Sequence, residues 1–175
     1  MSYIMVDIEA NGPIPGDYSM VEIGAVLVKE PLNKTFYGTL KPISDRVDMV
    51  ALNAIGLAPD ETLKFDDPYT TMINFEQWVQ ANNSGSRPIF VSDNNGFDFM
   101  FVHWYFIHFL GRDPFGYSSR NLGDMYKGLM QDVLVNFKHL RDTRHTHNPV
   151  DDAKGNAEAM LKLKNLFPKF NIKFN

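Results

Sequence analysis

The residues whose types and spacing could do chemistry are Asp7, Glu9, Asp98, His147 and Asp152. Asp7 and Glu9 close an apolar run at positions 3–9 that breaks at Asn11-Gly12-Pro13. In a strand, alternate side chains share a face, so these two carboxylates point the same way roughly 6.5 Å apart along the chain. Such a pair repels itself unless a cation lies between, and a hard divalent ion with oxygen ligands meets that need. Taken alone, Asp-x-Glu is more often a strand end with solvated acids. Asp98 enters a very apolar stretch at 97–110, where an acid needs a partner. Asp152 adjoins Asp151 at the start of the last periodic segment, where the helix macrodipole favours acids without any function. His147 stands five residues earlier and by itself reads as a plain loop histidine.

The elements that must position these groups follow from pattern and punctuation. Residues 20–29 and 34–40 are rich in β-formers and separated by Pro31-Leu32-Asn33, so they continue the first strand as an antiparallel meander of three. The segment 11–17, with two Gly and two Pro, reads as a loop. Glu22, inside the second strand, is expected to be half-exposed or paired. A short helix is expected at 48–56, a loop at 57–67 and a helix at 68–82 opened by Pro68. The apolar segment 88–92 reads as a strand parallel to the first, because a long apolar helix follows it. That helix, 97–110, is apolar almost all round and is expected to be buried, with Asp98 on the face of Phe101, Val102 and Tyr105. Residues 113–119 read as a loop, 121–131 as a helix and 133–140 as ambiguous. The last helix is expected at 151–166, stopped by Pro168.

Composition narrows the field. With 175 residues, 44% hydrophobic and 22% charged, the chain is expected to be a single soluble domain spanning 1–175. A net charge of −4 argues against coating nucleic acid through bulk charge, although it leaves room for a local phosphate grip. The absence of cysteine excludes disulfides, thiolate metal sites and thiol catalysis. No basic-then-apolar leader is visible, and 97–110 is too short and too polar to span a bilayer, so a cytoplasmic protein with no membrane partner is expected.

Together the motifs are more specific than their parts. Asp7-Ile-Glu9-Ala-Asn11-Gly12, Val21-Glu22-Ile23-Gly24, Asn94-Asn-Gly-Phe97-Asp98-Phe-Met-Phe101 and His147-Asn-Pro-Val-Asp-Asp152 occur in this order over nearly the whole chain. In this the sequence resembles the DnaQ-like family of 3′-to-5′ exonucleases, in its DEDDh branch. The resemblance implies an α/β fold of the ribonuclease-H-like kind, a mixed sheet of about five strands, the first three antiparallel, flanked by helices. It implies two divalent ions, Mg²⁺ or Mn²⁺, held by Asp7, Glu9, Asp98 and Asp152, with Asp7 bridging. It makes His147 the acceptor of the water's proton and puts Asn11, Gly12, Asn94 and Phe97 against the substrate. Two positions depart from the family pattern. Asn11 stands where Thr is usual beside the substrate terminus, so a different grip on the terminal nucleotide is expected, and Pro149 replaces a small residue and stiffens the loop of His147.

The activity so implied is release of nucleoside 5′-monophosphates from the 3′ end of a single strand. Two metals can neutralise the phosphate, make hydroxide near neutral pH and stabilise the leaving oxygen, while a histidine of ordinary pKa suits the base. RNA or short oligonucleotides are slightly preferred to DNA, on the likeness to stand-alone trimming enzymes. A binding module that kept the fold and lost catalysis is the rival from another class, and the intact ligand set with His147 argues against it. A homodimer is left open. His103 and His108, five apart on the apolar helix, read as packed or rim residues. His139 and His145, with Lys138, Arg141 and Arg144, read equally as phosphate contacts or as a solvated loop. The aromatic residues of 97–106 are expected mainly in the core, although such rings can stack bases.

Overall fold

The computed structural model describes residues 2–167. Strand β1 (Tyr3–Ala10) pairs antiparallel with β2 (Met20–Leu27), and β2 pairs antiparallel with β3 (Thr35–Thr39). Strands β4 (Ile89–Ser92) and β5 (Ser119–Asn121) run parallel to β1, giving one mixed sheet in the order β3-β2-β1-β4-β5. The parallel pairing needs crossovers. Helices α1 (Met49–Ala54), α2 (Pro59–Thr62) and α3 (Pro68–Asn82) lie between β3 and β4, and α4 (Asn95–Leu110) lies between β4 and β5. Helix α5 (Leu122–Met130), a 3₁₀ turn (Lys138–Leu140) and α6 (Pro149–Leu166) complete the order.

Local chemistry sets the helix starts. Asp48 accepts from the N–H groups of Val50 and Ala51, Asp67 from Thr70 and Asn121 from Asp124, each filling a donor that its helix leaves unmatched. Pro68 and Pro149 occupy first-turn positions, where the missing N–H is no loss.

The alternation of β1 divides the interior. Ile4, Val6, Ile8 and Ala10 face a core shared with Phe75 and Val79 of α3 and with Phe101, Val102 and Tyr105 of α4. Met5 faces the other core, with Val26, Val91 and Ala153, Ala157 and Met160 of α6. Asp7 and Glu9 continue the Met5 side, so strand period alone delivers them under the start of α6.

Several expectations need correction. The fifth strand, Ser119–Asn121, begins at the end of the segment expected to be a loop. It has no apolar pattern and is recruited by β4 at the sheet edge, with Asn121 going on to cap α5. The expected loop at 57–67 contains the helical turn α2, which Pro59 starts rather than prevents. Helix α4 is not buried all round: Met100 and Ile107 are exposed, and His108 stacks on Trp104 with centroids 4.3 Å apart. The ambiguous stretch 133–140 holds only the 3₁₀ turn. Pro168 lies outside the described residues.

Candidate active site

Two devices bring α6 down onto the acids of β1. Asn148 is extended, as a residue before proline must be, and its side chain accepts from Val150 and Asp151 to cap the helix. Gly24, register partner of Asp7 on β2, supplies the seat, since a Cβ there would overlap the carbonyl group of Pro149 and the N of Val150. The proline that departs from the family pattern is thus the first residue of α6 and rests on a side-chain-free patch of sheet. Asp152 follows within that first turn.

Asp98 arrives from the other side. Strand β4 ends beside β1, and α4 turns back so that Asp98, in its first turn, is 2% exposed. Carboxylate oxygens then form two groups, each with its atoms within 4.8 Å of one another: Asp7 with Glu9 and Asp152, and Asp7 with Asp93 and Asp98. Asp7 belongs to both.

Without a cation this arrangement is unfavourable, because burial and mutual repulsion both oppose the charged carboxylates. Burial, then the charges of Asp98 and Glu9, hold the Asp7 carboxyl well above the usual carboxylate range. Burial pushes Glu9 up to about 8, with Glu22, its register partner on β2, adding repulsion. Glu22 is itself 9% exposed and accepts a hydrogen bond from the Tyr37 hydroxyl, which fulfils the paired reading. Burial also pushes Asp98 up to about 8, and its Oδ2 is buried with no hydrogen-bond partner among the described residues. An orphaned buried carboxylate oxygen, on a residue grouped with two other carboxylates, is what a hard divalent cation would satisfy, so the residues present fit a metal.

The segment before α6 wraps around Asp152. Asp152 Oδ1 accepts from Arg141 Nη2 at 2.8 Å and lies 2.9 Å from His145 Nδ1, while Oδ2 accepts from the His147 N–H at 3.0 Å. His147 has φ +59°, an uncommon backbone for a residue other than glycine. Its ring is about half exposed, with Nδ1 3.8 Å from Glu9 Oε1. The structure therefore brings Asp7, Glu9, Asp98, His147 and Asp152 to one cleft, where Asn94, Phe97 and Lys138 join the lining.

Asn11 and Gly12 are placed differently. Asn11 is 1% exposed, its side chain accepts from Ser19 N–H at 2.7 Å, and its carbonyl accepts from Asp48 N–H at 2.8 Å. The side chain expected beside the substrate terminus is committed to tying the end of β1 to the start of β2, while the backbone carbonyl ties it to the start of α1. Gly12 is buried under the Tyr18 ring. Of the other histidines, His103 pairs with Asp113 at 2.7 Å and His139 sits edge-on to Tyr126. Sequence reasoning missed Asp93, which reads there as turn chemistry, and the inward course of Arg141. The one available signal for Asp93 was its place just after a strand, the same place that marks Asp7 and Glu9.

Comparisons with known proteins bear on the family and the fold. No protein-family model matches the chain. It is 38% identical over 130 residues to the 3′-5′ DNA exonuclease Cap18 of Escherichia coli, covering 73% of this chain and 68% of that protein. The nuclease domain of 3′hExo, a DEDDh family member crystallised with rAMP, superposes with a TM-score of 0.77 at 15% identity, over 99% of this chain and 96% of that one. E. coli exonuclease I bound to a dT13 oligonucleotide gives 0.73 at 17% identity over 96% of this chain, which spans only 42% of the exonuclease I chain. At such identities the two structures speak for the ribonuclease-H-like fold, and the similarity to Cap18 speaks for the family. The chain belongs to the DnaQ-like, DEDDh family of 3′-to-5′ exonucleases.

Proposed function

We propose that the chain hydrolyses single-stranded DNA from its 3′ end, releasing nucleoside 5′-monophosphates with the help of two divalent ions. The observation that carries this reading is the pair of oxygen groups sharing Asp7. The two groups offer adjacent cation positions in a chain 38% identical to a DNA exonuclease. That identity moves the substrate from the RNA expected on sequence grounds to DNA.

Bound divalent ions would neutralise the scissile phosphate, acidify a water and stabilise the departing oxygen. Asp7, Glu9 and Asp152 would hold one ion, and Asp7, Asp93 and Asp98 the other. His147 accepts the proton of the attacking water. With Nδ1 towards Glu9, Nε2 is the nitrogen open to that proton. The water's oxygen bonds to phosphorus as the bond to the 3′ oxygen of the penultimate nucleotide breaks, and that oxygen takes a proton from solvent. Asn94 and Phe97 lie at the lip of the cleft, where they can bound the terminal nucleotide, and Lys138 brings a positive charge to the same wall.

The test incubates the protein with 5′-labelled single strands of DNA and RNA, each with Mg²⁺, Mn²⁺ or chelator. Stepwise shortening of DNA with mononucleotide release is expected, faster than for RNA and abolished by chelator. Faster cleavage of RNA would reverse the substrate assignment, and activity that survives chelation would remove the metal chemistry.

A further inference from the structure

Arg141 carries a cationic side chain that is only 6% exposed, in a segment where Asp142 and 144–148 are open to solvent. It lies along the first turn of α6, donating from Nη2 to Asp152 Oδ1 at 2.8 Å and to the Asp152 carbonyl at 3.3 Å. A notch in α6 admits it. A Cβ on Gly155 would overlap Arg141 Nε and the Thr143 carbonyl oxygen and crowd Nη2, so the helix can cover the guanidinium and the segment that carries it only where it has no side chain.

The consequence falls on Asp152. Its Oδ1 accepts from Arg141 Nη2 at 2.8 Å and from the Thr146 N–H at 3.3 Å, and lies 2.9 Å from His145 Nδ1. Oδ2 receives the His147 N–H at 3.0 Å, and one oxygen of this carboxylate belongs to the group formed with Asp7 and Glu9. Outer partners of this kind fix the orientation of a ligating carboxylate. A planar, permanently charged guanidinium is better suited to it than an ammonium.

We propose that Arg141, seated in the Gly155 notch, is a positioning residue that holds the Asp152 carboxylate in place for a divalent cation. The proposal rests on the reading of Asp152 as a metal ligand. Arg141 is thereby withdrawn from substrate binding, which leaves Lys138, exposed on the same wall, to meet phosphate.

Calorimetric titration of Mn²⁺ into the full chain without nucleic acid tests this. Asp152→Asn and Arg141→Gln should each weaken Mn²⁺ binding by about 10- to 100-fold. Gly155→Ala should do the same with the guanidinium still present, and Arg141→Lys should recover part of the affinity. On a labelled oligonucleotide, Arg141→Gln should lower turnover at limiting Mn²⁺ with KM for the oligonucleotide unchanged, and excess Mn²⁺ should restore turnover. If Asp152→Asn weakens binding while Arg141→Gln, Arg141→Lys and Gly155→Ala bind like the parent, the role of Arg141 is overturned and Asp152 stands as a ligand. Parent-like binding by Asp152→Asn would overturn the underlying assignment as well. Should Arg141→Gln fail to fold, Arg141→Lys and Gly155→Ala decide the matter by the same titration.

Discussion

Asp7 contributes to both oxygen groups, so Asp7→Asn should disable both at once. Turnover should fall by at least about 10²- to 10³-fold, the scale of losing one preorganised electrostatic contact in a transition state. A single-turnover assay at saturating Mg²⁺ measures it. The raised carboxyls give a pH signature in the metal-free protein. Glu9 and Asp98 bind protons in the fold up to about pH 8 but shed them at ordinary carboxylate values when unfolded. The folded state therefore holds more protons between those limits. The stability they contribute is fully present at acid pH and is lost as pH rises through about 8. Thermal unfolding in chelator should show the melting temperature falling over that interval, and Mg²⁺ binding at pH 7 should release protons, seen as a buffer-dependent calorimetric heat. At this scale the sequence was informative where spacing decides, as for Asp7, Glu9, Asp98, His147 and Asp152. It read Arg141 as a phosphate contact or part of a solvated loop, whereas Arg141 reaches Asp152 through an irregular segment whose path only tertiary packing defines.

Among the elements, the seating of α6 on β2 is the joint that most directly fixes the site. Gly24→Ala would place a methyl group against the Pro149 carbonyl and lift the helix end that carries Asp152. A loss of about 1–3 kcal/mol is expected, as for overpacking elsewhere. Urea denaturation should show it, together with weaker Mn²⁺ binding. Strands β1, β2 and β4 and helices α3 and α6 were legible because alternation, helical period and capping residues agree within each segment. Strand β5 was not, because Ser-Arg-Asn carries no strand pattern and owes its conformation to hydrogen bonding along β4. The exposed side of α4 was hidden for the opposite reason, since Met100 and Ile107 are as apolar as its core side.

Across the whole molecule, the acids come from β1, the end of β4, α4 and α6, on both faces and from both directions of the sheet. Cations bound there would join the molecule's two cores and should stabilise it globally. At about 100-fold excess over Kd, each occupied site should add about 2.7 kcal/mol. Differential scanning calorimetry with and without Mn²⁺ should show the rise in melting temperature, and Asp7→Asn should abolish most of it. One property of β1 reaches further. Its even-numbered side chains build the core against α3 and α4, while Asp7 and Glu9 stand on the opposite side beneath α6. Inserting or deleting one residue before Asp7 would not weaken the site by degrees. It would exchange the two sides, driving two carboxylates into a dry aromatic interior and turning isoleucines towards the phosphate. The strand is thus a reading frame in three dimensions, in which the instruction to fold and the instruction to cut are written on alternate letters and must shift together.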